Sequence, residues 1–455
     1  MSQRAAAMPA PVVAKLTALR QSRSPKLLWV SHALGGGVAR HLHELEDALA
    51  GRAQPLLLQP ATAFAGIILS LPPLQPSVTD QPVRMGFRWP QDAARFRQWL
   101  DWLGVSRVHV HHLAGYPADM PQVLQTLGLP MDLTLHDHTI VGQGVAPNRR
   151  GRTILAGESL AFATQALAKA AERVIAPSNS LASAVSMRLP GVEILVRPHP
   201  EAERCLPYPD PQMRLPAPRE KLRVLCLGSF TPEKGAIVLA KVARLAEQRR
   251  LSIEFLLLGR SYYPLPRSVR QLGPYRDAEL AQLIVRHTPH ILWLPAQVPE
   301  TWSYTLSAGL QGALPLLLSD IGALPERVQG RPCTWLLNPH SSALAWLDAL
   351  CAVHEQPARP PQQARWPQAG VTPFYHGGAY LTVGTAAGLD GRPLPAELAE
   401  TLRLGEARQG SLQRLFAMLA VRMRRVPLAG QLLARAALRS KLKAALQAVI
   451  PRRNG

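Results

Sequence analysis

Five of the fourteen histidines fall within 30 residues: His109, His111, His112, His136 and His138, with Asp137 between the last two. Imidazole with carboxylate suits zinc or iron. Alternate residues of a strand face opposite sides, however, and no acidic second shell stands nearby in the chain. No metal is therefore expected. The groups read instead as the lining of a polar cleft, with His136 and Asp137 hydrogen-bonding the hydroxyls of a ligand, or as ordinary polar residues at strand ends. Lys234, in Thr231-Pro-Glu-Lys-Gly235, is a compact point charge able to reach a diphosphate, or else a solvated loop lysine. No Asp-x-Asp pair is present to hold Mg²⁺ between phosphates. Glu300 stands just before a helix beginning near Thr301. It is placed to accept hydrogen bonds from ligand hydroxyls or simply to complement the helix dipole, whose N-terminal N–H groups also favour an anion.

Two halves of the chain repeat one pattern that would position these groups: apolar strand, glycine-containing turn, helix. Lys26 to Ser31 reads as a strand, Gly35-Gly36-Gly37 as the turn, and Val38 to Leu49 as a helix with Val38, Leu42, Leu45 and Leu49 on one face. The three glycines either let the backbone approach a phosphate or sugar or make a tight turn. Further strands are predicted at 107–111, 131–135 and 173–176, with helices at 93–103 and 120–127 between them. The second half opens after a linker containing Pro207, Pro209, Pro211, Pro216 and Pro218. Strands are predicted there at 223–228, 253–258, 291–294 and 316–318, with a helix at 236–247. Alternating strands and helices argue for parallel sheets joined by right-handed crossovers. The expected class is α/β, with two doubly wound Rossmann-like domains facing a cleft, and with ligands outside the carboxyl ends of the strands.

The chain of 455 residues is long enough for two to three domains, and 47% of it is apolar. The predicted division is an N-terminal extension at 1–25, expected to be flexible, a first domain at 26–206, a linker at 207–220, a second domain at 221–355, a weakly patterned segment at 356–405 and a basic helical tail at 406–455. Four widely spaced cysteines suggest neither a disulfide framework nor a zinc site. That fits a reducing cytoplasm, and no secretory h-region or run of about 18 apolar residues is found.

Eleven of the 21 net positive charges lie after Glu406, where no Asp or Glu occurs. Apolar residues at Leu412, Leu415, Phe416, Leu419, Met423 and Val426 keep helical spacing. Such a basic amphipathic segment reads as lying on an anionic membrane surface, or as packing back on the first domain. Nucleic acid is disfavoured, because no aromatic platforms interleave the charges.

The ordered set of segments VSHALGGGVARHL at 30–42, TLHDH at 134–138, APSNS at 176–180, GSFTPEKG at 228–235 and PETWSYTLSAGLQGALPLLLSDIGALPERV at 299–328 resembles glycosyltransferase family 4. Those are retaining enzymes with the two-domain glycosyltransferase B fold, and the likeness runs from about Lys26 to Val353. The resemblance implies a nucleotide-diphospho-sugar donor held by the second domain and an acceptor against the first. Gly36 and Gly37 match the loop near donor phosphate and acceptor, His136 the histidine on the transferred sugar, Lys234 the lysine on the diphosphate, and Glu300 the first acid of a paired-glutamate motif. Gly228, Ser229, Thr301 and Tyr275 complete the implied donor site, the base lying near Gly273-Pro-Tyr275. Two positions depart from the pattern. Ser229 stands where an arginine is usual. Ala308 replaces the second glutamate, which holds the ribose; losing such a charged hydrogen bond costs about 1.5–3 kcal/mol. Gln311, on the same helix face, is expected to replace part of that contact.

The function expected from all this is metal-independent transfer of a sugar to a lipid-linked or polysaccharide acceptor in bacterial cell-surface glycan synthesis. It needs no cofactor and would take place in the cytoplasm or at the inner membrane surface. The alternative is a non-catalytic binding or scaffolding protein of the same fold.

Overall fold

The computed structural model describes residues 10–62, 64–75, 82–141, 157–205, 208–214, 216–217, 219–352 and 373–381. The apolar runs form two sheets. The first contains β1 (Lys26–Val30), β2 (Gln54–Pro60), β3 (Gly66–Ser70), β4 (Arg84–Arg88), β5 (Val105–Val110), β6 (Met131–Thr134), β7 (Arg173–Ala176) and β8 (Ile194–Val196). Their spatial order is β4-β3-β2-β1-β5-β6-β7-β8. Pairing is parallel except at one edge, where β3 runs antiparallel to β2 and β4. The second contains β9 (Leu222–Phe230), β10 (Ile253–Ser261), β11 (Val269–Gly273), β12 (Ile291–Leu294), β13 (Leu316–Ser319) and β14 (Thr334–Leu337). It is parallel throughout, in the order β11-β10-β9-β12-β13-β14.

Each sheet is covered on both faces, which is why its strands read as nearly continuous apolar runs. In β1, Leu28 and Val30 enter one core while Leu27 and Trp29 enter another. In β9, Val224 and Cys226 pack on one side and Leu225 and Leu227 on the other. Both sheets reverse their strand order at the middle, between β1 and β5 and between β9 and β12. Ligands of open α/β sheets bind outside the strand ends at such a reversal.

Two expectations are corrected. Residues 10–21 of the supposed flexible extension form the helix Ala10–Gln21. Leu16 and Leu19 of that helix are buried in the first core, and Arg20 stacks on Trp102 and donates to its carbonyl. The segment 356–405, read as weakly patterned, contains a piece that returns to the first domain. Phe374, Tyr375 and Tyr380 complete the core around Leu27 and Trp29. Three aromatic residues, with Leu381 beside them, carry that packing among the described residues, too few for a periodic signal. The segment is pinned by Glu203, whose carboxylate accepts from the N–H groups of Phe374, Tyr375 and His376 at 2.7–3.0 Å. Arg173 donates to the Tyr380 carbonyl at 2.9 Å while its other N–H groups grip the fully buried Asp132. The predicted basic tail at 406–455 lies outside the described residues.

Replacing Glu203 with alanine strips a charged acceptor from three backbone donors. It is expected to cost at least about 2 kcal/mol and to speed proteolysis at residues 373–381. Urea unfolding and limited proteolysis measure both; an unchanged midpoint with unchanged cleavage would remove this anchor from the fold.

Candidate active site

Lys234 follows β9 and Glu300 follows β12, so the two flank the reversal point of the second sheet. Their side chains meet, Lys234 Nζ to Glu300 Oε1 at 3.2 Å. They share a small pocket with Phe230, Ser303, Thr305 and Leu324. Lys234 is placed by Gly235, which takes φ 90 and leaves no room for a Cβ: one would stand 2.1 Å from the Pro295 carbonyl oxygen. Glu300 is held by its backbone, which bridges to Gly322 and accepts from Ala323 N at 2.7 Å. Beside the pair begins the helix Tyr304–Gln311, capped by Ser303, whose hydroxyl accepts from Leu306 N. Ser303 itself sits at φ 77, in the left-handed region. Arg327 holds it there, donating to the carbonyls of Trp302 and Ser303 at 2.8 Å each.

The first domain closes on this helix. Glu201, 1% exposed, accepts from Trp302 Nε1 at 2.8 Å, from Arg40 at 3.1 Å and from the Ser307 hydroxyl. Tyr304 donates to Glu44 at 3.0 Å, and Arg40 lies over its ring. Thr301 donates to the His136 carbonyl at 2.8 Å. Glu326 reaches from the second domain to the start of the helix Asn179–Ser186, accepting from Asn179 N and Ser180 N at 2.9 and 2.8 Å. A carboxylate on those open N–H groups is the favourable sign for a helix N-terminus.

The histidines divide differently from the expectation. His109 and His111 are two apart on β5 and the residues after it, and so share a face. Their rings lie 3.9 Å apart, and His111 Nδ1 meets His136 Nε2 at 3.1 Å. His41 and His199 join them, the His41 ring centring 4.8 Å from His136 and 4.4 Å from His199. Burial depresses all five, His41 to about 3, with mutual repulsion adding for the others. His112 takes the other side, pairing with Asp137 at 3.0 Å. Burial works to raise the Asp137 carboxyl, but hydrogen bonds from His112 and Thr139 prevail and hold it at about 2. Asp137 is thus engaged within its own domain.

Residues 35–196 match the family model described as Glycosyltransferase Family 4. That stretch, which carries most of the first sheet, is similar to a family 4 glycosyltransferase domain. Among solved structures the chain is similar to sucrose-phosphate synthase from Thermosynechococcus elongatus, at 16% identity over 87% of this chain and 99% of that one, TM-score 0.49. It is also similar to a glycosyltransferase from Rickettsia africae, at 16% identity over 73% and 89%, TM-score 0.49. A third is Anabaena HepE in complex with UDP and glucose, at 14% over 73% and 90%, TM-score 0.48. No curated protein matches. The two sheets, each with its strand order reversed at the middle, give the chain an α/β architecture of two Rossmann-like domains.

The structure brings several of the expected site residues together. Gly36, at φ 73, opens the helix Gly36–Ala48, and a Cβ on Gly37 would touch the Tyr304 ring at 3.7 Å. Gly228 packs beside Thr305, and Ser229 follows it on β9. Tyr275 is half-buried near Arg40, its phenol raised by burial and by Asp277. Gln311 is exposed at the end of its helix. Its amide donates to Cys205 Sγ at 3.4 Å. Ala308 is buried in a leucine-rich core. Sequence reasoning missed Arg40, His41, Glu44, His199, Glu201 and Arg327. The Arg40–Glu44 spacing of four was readable as a helix ion pair, but nothing in the sequence links Glu201 to Trp302.

Burial, with Glu201 next, raises Glu44 to about 7 from 4.5, against the pull of Arg40 and Tyr304. The folded chain therefore holds a proton there that the unfolded chain has lost between those values. That contribution is present below pH 4.5 and fades as pH rises to about 7. Glu44→Gln mimics the protonated group, so its stability relative to wild type is expected to increase across this window. Urea midpoints of both chains test it; a constant difference contradicts the assignment.

Proposed function

We propose that this protein is a retaining glycosyltransferase that moves a sugar from a nucleotide-diphospho-sugar to a lipid-linked or polysaccharide acceptor in bacterial cell-surface glycan synthesis. The observation that carries the reading is the Lys234–Glu300 pair at 3.2 Å, set at the reversal point of the second sheet beside the start of the Tyr304–Gln311 helix. Lys234 and the helix N-terminus would stabilise the charge growing on the departing diphosphate, where preorganised positive groups count most. Glu300, only partly exposed, would accept hydrogen bonds from the sugar hydroxyls. Until a donor arrives the two neutralise each other, and a pair this exposed contributes at most about 1 kcal/mol, so substrate can part it cheaply. His136 would meet the transferred sugar, and Gly36 and Gly37 the phosphate and acceptor. No side chain acts as nucleophile: a donor phosphate oxygen takes the acceptor's proton. Residues 406–455 would hold the enzyme to anionic lipid.

A second reading, a non-catalytic binding protein of the same fold, draws on Ser229 and Ala308. With no acid at 308, the ribose lacks its charged acceptor, which lowers donor affinity while leaving the reacting carbon untouched.

Lys234→Ala is expected to lower donor turnover at least about 100-fold, with Glu300→Gln also impaired, in assays of UDP- and GDP-sugars with and without acceptor. Absence of turnover by wild type with every nucleotide sugar supports the second reading. Truncation after Leu404 is expected to abolish co-sedimentation with anionic liposomes; equal binding by both chains removes the membrane role.

A further inference from the structure

The buried histidines behind the interdomain seam carry an inference that does not depend on the sugar-transfer reading. His41 comes from the helix Gly36–Ala48, His111 follows β5, and His136 follows β6. Each offers a ring nitrogen, and these nitrogens all lie within 4.8 Å of one another. The closest approach, His111 Nδ1 to His136 Nε2, is 3.1 Å. Two nitrogens bound tetrahedrally to one zinc ion at about 2.0–2.1 Å stand roughly 3.4 Å apart, so the His111–His136 pair already stands near that spacing and the His41 nitrogen must move closer.

The second observation is a set of polar atoms with nothing to bind. Both ring nitrogens of His41 are buried without a hydrogen-bond partner, as are His111 Nε2 and His199 Nδ1. A neutral imidazole carries one donor and one acceptor, and buried polar groups are almost always satisfied. His41 is 0% exposed and satisfies neither. His109, by contrast, is fully occupied by the Tyr380 hydroxyl and Thr134 at 2.6 and 2.7 Å. Unpartnered nitrogens thus fall on His41, His111 and His199, which converge, while the neighbouring His109 has none.

We propose that His41, His111 and His136 bind one divalent transition metal ion, zinc foremost. Imidazole-only ligation favours zinc, copper or nickel over calcium or magnesium. Burial keeps the rings neutral, the form in which a lone pair is free to ligate. His199, with its unpaired Nδ1 beside His41, is placed to turn toward a fourth position. The site would cross-link the helix behind the Gly35–Gly37 turn to the ends of β5 and β6. It would thereby fix His136, whose carbonyl receives Thr301 from the second domain. Strand alternation argued against a metal, but the third ligand comes from a helix, outside that argument.

The test uses the untagged full-length chain, stripped with chelator and incubated with Zn²⁺ or Co²⁺ alone. The expected result is one ion per chain after dialysis, four-coordinate ligand-field bands with Co²⁺, and a thermal midpoint raised by Zn²⁺. His41→Asn and His111→Gln are expected to weaken uptake at least about 100-fold, while His43→Asn, an exposed residue of the same helix, retains it. No stoichiometric uptake by wild type, or undiminished uptake by a folded His41→Asn, overturns the proposal. Should both variants fail to fold, X-ray absorption of the wild-type Zn²⁺ complex decides. A shell dominated by imidazole nitrogen supports the site, and sulfur or carboxylate ligation refutes it.

Discussion

The arrangement of this molecule depends on one buried carboxylate. Glu201 is almost wholly removed from water and must find every partner inside the protein. It does so by collecting Arg40, Trp302 and Ser307 from separate parts of the chain. Burying a charge is tolerable only with pairing and hydrogen bonds of this quality, and removing one partner of such a set typically costs about 3–5 kcal/mol. The interaction therefore specifies geometry more than it adds stability. Trp302 and Ser307 bracket the start of the Tyr304–Gln311 helix, so fixing them fixes where that helix points.

The catalytic chemistry of the proposed reaction needs that helix to stay in place. Ser303, strained at positive φ, is held by Arg327 from one side, and Tyr304 is held by Glu44 and Arg40 from the other. Glu326 adds a contact remote from this cluster by capping a first-domain helix. The two domains thus meet through polar groups that are each satisfied across the seam. The exposed Lys234–Glu300 pair lies beside this network with few ties to it. Rigid surroundings and a loosely paired centre are what electrostatic catalysis asks of a site.

Much of the fold was legible because its strands are buried on both faces. Runs such as Leu316–Leu318 or Ile291–Leu294 admit little else once glycine turns and helical periods flank them. The antiparallel β3 and β4 at the sheet edge escaped notice, since they carry no such helical spacing between them. The returning segment around Tyr375 and Tyr380 escaped too, because three aromatic residues make a core contact without making a pattern. Of the site, Lys234 and Glu300 were readable from their positions after strand-ending turns. The contact of Gln311 with Cys205 was not readable, because sharing a helix face with position 308 does not say which neighbour that face meets.

By itself the sequence determined the strand-turn-helix alternation, the parallel pairing that dominates both sheets and the residues at their carboxyl ends, since all of these follow from local periodicity and turn chemistry. Only the tertiary structure decided which polar groups meet across long separations. Arg40 finds Glu201, Glu326 finds Asn179, and His41 finds His111 and His136. Such contacts are chosen by packing, because a buried polar group must be satisfied by whatever the folded chain brings near it, and sequence spacing carries no record of that neighbour.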